Sequence, residues 1–504
     1  MSERILVVGG GIAGLWTALA LARAGRELTV LDRDPPPPET SADEAFEKWE
    51  RKGVGHLRHS HAFLARLHIL IRDHYPGLLD ELLAEGCREL AFVEGLPVSL
   101  KKSYRPVPGD EDMTILTSRR TTLEFVMRRY AARQPAIRFV TGALVRDIRT
   151  ERDTDGTLRV TGVKVETGGE TKDWPADIVI DAAGKNSLMI EWLNERRAGI
   201  TEETERAGIL YFTRHYRLHA GLEEPARTKI PSAGDLGFIK YGVFPADNGC
   251  FSITLAVPEI EMEMRRTIVH PEKFDAICAM LPGIASWTSP ETSIPVSRVF
   301  GMGELISRWR HMVKDGEPRV LNFFPLGDSV IRTNPLYGRG CSFAGVAAEA
   351  LIDALARTDN PRERARQYHA RLARELRPHY DDMVKQDLAA TRRAKNALDP
   401  DYKPRFKARV IKSFAEDAIM PAIRGDLDLM RAFMRSFHMV DAPNAWLRDP
   451  RNMAKILSTW ARGKKRNAGL YPPKLGPGRE EMYRSLSISA DAGREHARSA
   501  RRPQ

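Results

Sequence analysis

The run ILVVGGGIAGLWTALALA, residues 5–22, constrains this chain more than any other stretch of it. Its length and apolarity are those of a signal anchor or a membrane span. Its glycines say otherwise. Gly9, Gly11 and Gly14 form GxGxxG directly after the β-type run ILVV and open a helical stretch that ends near Gly25. A second β-type run, LTVLD, follows and ends on Asp32. Strand, glycine turn, helix, strand and terminal acid make a complete βαβ dinucleotide fingerprint.

Each part has a physical task. Gly9 permits the tight turn, Gly11 lets the backbone approach a pyrophosphate, and Gly14 lets the helix pack closely on the strand. The amides at the start of the helix, Ile12 and Ala13 among them, stand at the positive end of the helix dipole, which suits phosphate. Asp32, 18 residues beyond Gly14, is placed to accept hydrogen bonds from a ribose, and Arg33 beside it joins the candidate set.

The second marker lies some 300 residues later. RVLNFFPLGDSVIRTNPLYGRGCSFAGVAAEAL, residues 319–351, reads as a buried strand, then Gly327 and Asp328, then a loop with Pro335, Gly338 and Gly340, then an Ala-rich helix. With this segment the chain resembles the FAD-dependent monooxygenase superfamily that includes the para-hydroxybenzoate hydroxylase and squalene epoxidase folds. The resemblance implies that Gly327-Asp328 contacts the ribityl chain of FAD. It implies that Pro335-x-x-Gly338-x-Gly340, with Arg339 and Cys341, sets a helix N-terminus beside the flavin ring. The physics agrees: reduced flavin carries negative charge near N1, a helix N-terminus stabilises it, and glycines let backbone amides come close.

Two further segments extend the resemblance. SRRTTLEFVMRRYA, residues 118–131, is similar to the family's Arg-x-x-Leu helix start, which implies Arg120 near the flavin or its ribityl chain. ADIVIDAAGKNS, residues 176–187, looks like the strand returning to the FAD domain, with a turn at Gly184. The aromatic hydroxylases carry Asp-Gly in that turn, so Asp181-Ala-Ala-Gly184 is closer to the epoxidase, reductase and halogenase branches.

The fold class expected is α/β. A Rossmann-like FAD-binding domain of the discontinuous GR2 type takes residues 1–90, 115–187 and 297–357, with a β-sheet substrate domain from 91–114 and 188–296 inserted between its parts. A helical C-terminal region follows over 358–463, then a flexible basic tail over 464–504. At 504 residues the chain is long enough for several domains. In the sheet domain, Tyr211, Phe212, Tyr216, Phe238 and Tyr241 either line an apolar pocket or form sheet core, and for each residue core is the commoner outcome.

GVGHLRHSHAFL, residues 53–64, sits in the loop after the Asp32 strand and its Pro-rich connection. No HExxH, His-carboxylate cluster or Cys pair accompanies its histidines, so no metal is expected. The reading adopted puts Arg58 on the FAD phosphates and His61 near the isoalloxazine or the substrate. His59 packs in the loop, and His56 and His68 are structural or solvated.

Four scattered cysteines without a CxxC pair suit a reducing cytoplasm. The net charge of +11 raises nucleic acid or membrane as partners. From Lys464 to Gln504 there are ten Lys or Arg against four Asp or Glu, so +6 of that excess lies in the tail and no nucleic-acid partner is expected. Met453, Ile456, Leu457 and Trp460, with basic residues around them, form an amphipathic helix that either docks on its own protein or rests on a membrane surface.

What the resemblance implies for function is oxygen insertion. NADPH, NADH or a partner reductase reduces FAD, O2 adds at flavin C4a, and the hydroperoxide delivers oxygen to an apolar substrate of the polyketide or terpenoid kind. His61, Pro335 and Gly338 are the catalytic candidates. No base for a phenol stands out, which favours epoxidation or hydroxylation of an apolar molecule. The alternatives are a reductase of the geranylgeranyl reductase type, a flavin halogenase, against which the missing WxWxIP counts, and a non-catalytic flavin-binding protein.

Overall fold

The apolar N-terminal run forms a strand and a helix of the protein's main core. In the computed structural model, which describes residues 3–489, strand Ile5–Val8 lies at the centre of a five-stranded parallel sheet. The order is Phe323–Pro325, Ile178–Asp181, Ile5–Val8, Leu28–Asp32, Ile137–Thr141. Read from the Ile137 edge, the strands come third, second, first, fourth and fifth in the chain, the order of a dinucleotide-binding sheet. The order reverses between Ile5–Val8 and Ile178–Asp181, so a crevice opens outside their carboxyl ends. The central strands Ile5–Val8 and Ile178–Asp181 are buried at every residue, because helices cover one face of the sheet and the antiparallel strands Leu144–Arg152 and Leu158–Thr167 pack against the other. Helix Ile12–Arg23 packs on helices Arg120–Ala132 and Gly340–Arg357. Among the described residues no helix is long and apolar enough to cross a membrane.

A second, antiparallel sheet carries six strands, with Ile209–Leu218 and Cys250–Pro258 paired along their whole length at its centre. Side chains alternate across this pair with a period of two. Phe212, Tyr216, Phe251, Ile253 and Leu255 share one core with Phe274, Ile277 and Cys278 of helix Pro271–Ala279. The opposite face carries Tyr211, Thr213, His215, Ser252 and Thr254, and it meets the histidine loop and the Asn334 turn. Phe238 and Tyr241 also belong to the core, so four of the five aromatic candidates are packing, while Tyr211 turns toward the Asn334 turn and Phe300 of the same sheet packs on His59.

Two other expectations change, and one open alternative is decided. The tail is not a solvated end as far as residue 489: helix Arg479–Ser485 closes the antiparallel sheet's core with Met482, Tyr483 and Leu486. Arg479 reaches Glu261 at 2.7 Å, and Tyr483 Oη donates to the same carboxylate at 2.6 Å. A charge count over the segment is blind to those three apolar residues on one helix face. Residues 490–504 lie outside the described residues. Segment 91–114, grouped by sequence with the sheet, shares a core instead with the C-terminal helices through Phe92, Leu96, Leu100 and Met113. Helix Pro450–Arg466 docks on this same core through Ile456, with Trp460 packed at its margin.

Candidate active site

Fourteen of the sequence-derived site residues line one cavity of about 320 Å³ at the carboxyl edge of the parallel sheet. They are Gly9, Gly11, Ile12, Ala13, Asp32 and Arg33 from the fingerprint, His61 and Arg120, and Gly327, Asp328, Pro335, Gly338, Gly340 and Cys341 from the second segment. Gly14 does not face it: a Cβ there would stand 1.8 Å from the Gly9 carbonyl oxygen, which is the close helix-to-strand packing expected of it. Gly338, at φ +64°, turns the chain so tightly against the histidine loop that a Cβ would meet the Ala62 carbonyl oxygen at 2.8 Å.

Arg58 and Arg339 point elsewhere. Arg58 donates to the carbonyl oxygens of Phe46 at 2.6 Å, Trp49 at 3.2 Å and Glu47 at 3.3 Å. It satisfies carbonyls left without partners at the C-terminus of helix Ala42–Lys48. Arg339 donates to the His379 carbonyl oxygen and lies 3.4 Å from Asp382, which ties the helix start to helix Arg377–Leu398.

From this loop the cation that enters the cavity wall is Arg51, which the sequence reading passed over. It is buried and meets Glu124 at 2.9 Å, Asp32 at 3.1 Å and Asp34 at 3.2 Å. Glu124 also accepts from Arg120 at 2.9 Å. Three carboxylates and two guanidiniums therefore interlock across the Asp32 strand, the loop and helix Arg120–Ala132. Burial raises the Asp32 carboxyl, and Arg51 opposes that shift. Only the nearness of Arg51 to Asp32 in sequence signalled this role, and the loop offers several arginines.

Arg120 fixes the state of His61. Its Nη1 lies 3.2 Å from His61 Nε2, and His61 Nδ1 lies 2.9 Å from the His59 carbonyl oxygen. A guanidinium only donates and a carbonyl only accepts, so His61 is the neutral tautomer with its proton on Nδ1. Desolvation, with the Arg120 charge beside it, pushes its pKa down to about 3. His56 also lines the cavity and is lowered well below its ordinary value by the same causes, a correction to its reading as structural or solvated. His59 faces Thr213 at 3.2 Å, and burial pushes it down to about 4. Among the described residues no group of His, Cys, Asp or Glu is arranged to hold a metal.

A buried network stands behind the Pro335–Tyr337 turn. Tyr211 Oη donates to Asn334 Oδ1 at 2.6 Å, and Asn334 Nδ2 donates to Asp387 Oδ1 at 2.9 Å. Tyr337 Oη donates to the same carboxylate oxygen at 3.0 Å. The turn is thus gripped by the antiparallel sheet and by the long helix together. Burial pushes Asp387 up to about 6. Nothing local in the sequence links positions so far apart.

Two helices, Ile12–Arg23 and Gly340–Arg357, open on this one cavity with no side-chain cap at either N-terminus. Free amides and the positive dipole ends therefore face whatever it holds. Sheet order and cavity together define a dinucleotide-binding enzyme of the Rossmann-like α/β class.

Residues 4–354 match the family described as FAD dependent oxidoreductase, and the chain belongs to this family. Its cofactor is accordingly FAD and its activity an oxidation–reduction. No curated protein matches the sequence. In fold the chain is similar to p-nitrophenol 4-monooxygenase PnpA from Pseudomonas putida DLL-E4, at 16% identity and TM-score 0.57 over 88% of this chain and 98% of that one. It is similar to the flavin-dependent brominase Bmp2, at 15% identity and TM-score 0.55 over 92% and 100%. It is similar also to OxyS anhydrotetracycline hydroxylase from Streptomyces rimosus, at 17% identity and TM-score 0.54 over 88% and 77%. At such identities the likeness is one of fold, and this fold serves both oxygenation and halogenation.

Proposed function

We propose that this protein is an FAD-dependent monooxygenase that places one oxygen atom of O2 on an apolar small molecule, by epoxidation or hydroxylation. NADPH, NADH or a partner reductase is its electron source. The observation that carries the reading is the character of the cavity wall at the Pro335–Gly338 turn. There Met302 and Leu305 line the cavity and pack in one apolar cluster with Leu336. The two histidines of the wall, His56 and His61, are neutral and only weakly basic. Such a wall serves an acceptor that needs no deprotonation.

The residues fit FAD. The N-terminus of helix Ile12–Arg23, with Gly11 at its cap, suits the pyrophosphate, Asp32 with Arg33 the ribose, and Asp328 the ribityl chain. The amides of Gly340 and Cys341, with Arg120 across from them, suit a ring that gains negative charge. When bound, FAD supplies the electron transfer and the activation of O2. Burial, with Arg120 beside it, holds His61 neutral, Met302 and Leu305 keep water from the apolar end, and the Asn334–Asp387 network sets the position of the turn.

The test is turnover of the purified yellow protein with NADH, NADPH or a supplied reductase, offered apolar alkenes and aromatic compounds under ¹⁸O2. The expected product carries one labelled oxygen. A reduced, unlabelled product formed without O2 would overturn the reading in favour of the reductase. A product that requires bromide or chloride would do so in favour of the halogenase.

A further inference from the structure

One stretch of the C-terminal region stands outside every core of the protein. From Asp401 to Lys412 each residue is exposed except Val410, which is half-buried, and helix Phe406–Ser413 buries no side chain. A helix that buries nothing is ordinarily polar all round. This one is not. Phe406 is 74% exposed and Ile411 59%, and Tyr402 just before the helix is exposed as well.

Lys403, Arg405, Lys407, Arg409 and Lys412 surround these apolar groups, and no acid occurs between Tyr402 and Ser413. Several cations elsewhere in the C-terminal region are paired, Arg431 with Asp110, Arg435 with Asp441, Lys455 with Asp426 and Lys464 with Asp417. Lys403, Arg405, Lys407 and Arg409 meet no carboxylate among the described residues. Arg409 lies over the Phe406 ring instead, at 5.9 Å. Lys412 reaches Glu416 only at 3.9 Å. At its far end the helix is fixed to the body, because Trp460 Nε1 donates to Ser413 Oγ at 3.2 Å. Leu457, one turn before Trp460, is itself exposed.

We propose that the segment Tyr402–Ser413 docks on the surface of an anionic phospholipid bilayer. Unpaired cations answer anionic headgroups, and an exposed phenyl ring and a branched aliphatic side chain enter the boundary between headgroups and acyl chains. The stems of Lys and Arg cover apolar surface while their heads stay with phosphate. A second copy of this chain is the poorer occupant, because a two-fold contact sets the same cations against one another. The inference is independent of the reaction catalysed. It falls on a different helix from Pro450–Arg466, for which the sequence left docking and membrane contact open and whose Ile456 is buried in the protein's own core.

The full-length, FAD-loaded protein is sedimented with vesicles of phosphatidylcholine alone and of phosphatidylcholine with phosphatidylglycerol, at low and at high salt. Binding to the anionic vesicles, weakened by salt, is expected. The pairs Phe406→Ser with Ile411→Ser and Lys407→Glu with Arg409→Glu are each expected to lower partitioning by about tenfold or more. The flavin spectrum and melting should not change, because these side chains support nothing in the fold. Absence of binding by the parent overturns the proposal. So does equal binding by the variants, which would place the contact elsewhere on the chain. A concentration-dependent dimer that the same substitutions dissolve would overturn it too and assign the surface to a second copy.

Discussion

The two sheets of this protein place their chemistry in different positions, and the difference decides how far each is readable. In the parallel sheet the strand interiors are buried on both faces, so polar function is confined to the carboxyl ends, at Asp32 and in the Gly327-Asp328 turn just beyond Pro325. In the antiparallel sheet it lies in mid-strand. Thr213, Thr254 and Ser252 form a chain of hydroxyls with Ser60, at 2.6 to 2.9 Å, on the face opposite the Phe212 and Phe251 core. A strand end is marked in sequence by a glycine turn, whereas the choice of face in mid-strand depends on what the sheet packs against.

The sharpest break of the comparison is Arg51→Met in the parallel-sheet domain. It leaves Asp32, Asp34 and Glu124 buried, with Arg120 still on Glu124 and Arg33 3.6 Å from Asp34, and stability to urea should fall by about 3 to 5 kcal/mol or more, with loss of FAD. Phe251→Ala in the other sheet should cost about 3 to 5 kcal/mol by the same measurement. Its flavin affinity should stay at the parent value, because Phe251 packs between Tyr216 and Trp287 and away from the cavity. Gly11→Val should do the reverse. Val54 Cγ2 at 3.9 Å is the nearest atom to a Cβ there, so the fold accepts the substitution. FAD affinity measured by equilibrium dialysis should drop about a hundredfold, equivalent to about 3 kcal/mol, since the added methyls occupy the pyrophosphate approach.

Asp387→Asn sharpens the point where the two domains meet. Its carboxyl is raised to about 6 in the fold, so the folded state holds the proton more tightly than the unfolded one. That contribution to stability is present below about pH 4 and is lost as pH rises through about 6. Asparagine keeps an acceptor for Asn334 and Tyr337 and removes the titration. The stability of the variant relative to the parent should therefore climb between about pH 4 and 6, by up to about 3 kcal/mol, and then level off. The smallest effect is expected from Arg58→Ala. It should lower stability by about 1 to 2 kcal/mol through the uncapped carbonyls and leave FAD binding intact. A loss of FAD in this variant would return Arg58 to the phosphates.

The histidine loop shows why part of the site was legible and part was not. That some group of the loop approaches the cavity follows from the chain returning after the Asp32 strand, and His61 and Ser60 do line it. Which cation comes with them depends on helix Ala42–Lys48, seven residues whose free carbonyls claim Arg58 and leave the cavity to Arg51. The state of His61 depends on Arg120, 59 positions away. The aromatic residues of the antiparallel sheet carry no pocket signal for a similar reason. Their period of two is plain in sequence, but the helix that covers them, Pro271–Ala279, is known only from the packing.

What the sequence by itself determined is backbone chemistry: the central strand and helix, the tight turns, the free helix amides, and with them the dinucleotide class of the cofactor. These need only glycines at fixed spacing next to apolar runs, and each requirement is met within a few residues. The tertiary structure alone decided the Arg51 cluster, the proton on His61 Nδ1, the Tyr211–Asn334–Asp387 grip on the turn, and the closure of a core by residues 479–486. Each of these joins side chains from distant parts of the chain. The partner is selected by burial and by the need to satisfy a charge or a hydrogen bond once water is gone, and a one-dimensional pattern does not encode that selection.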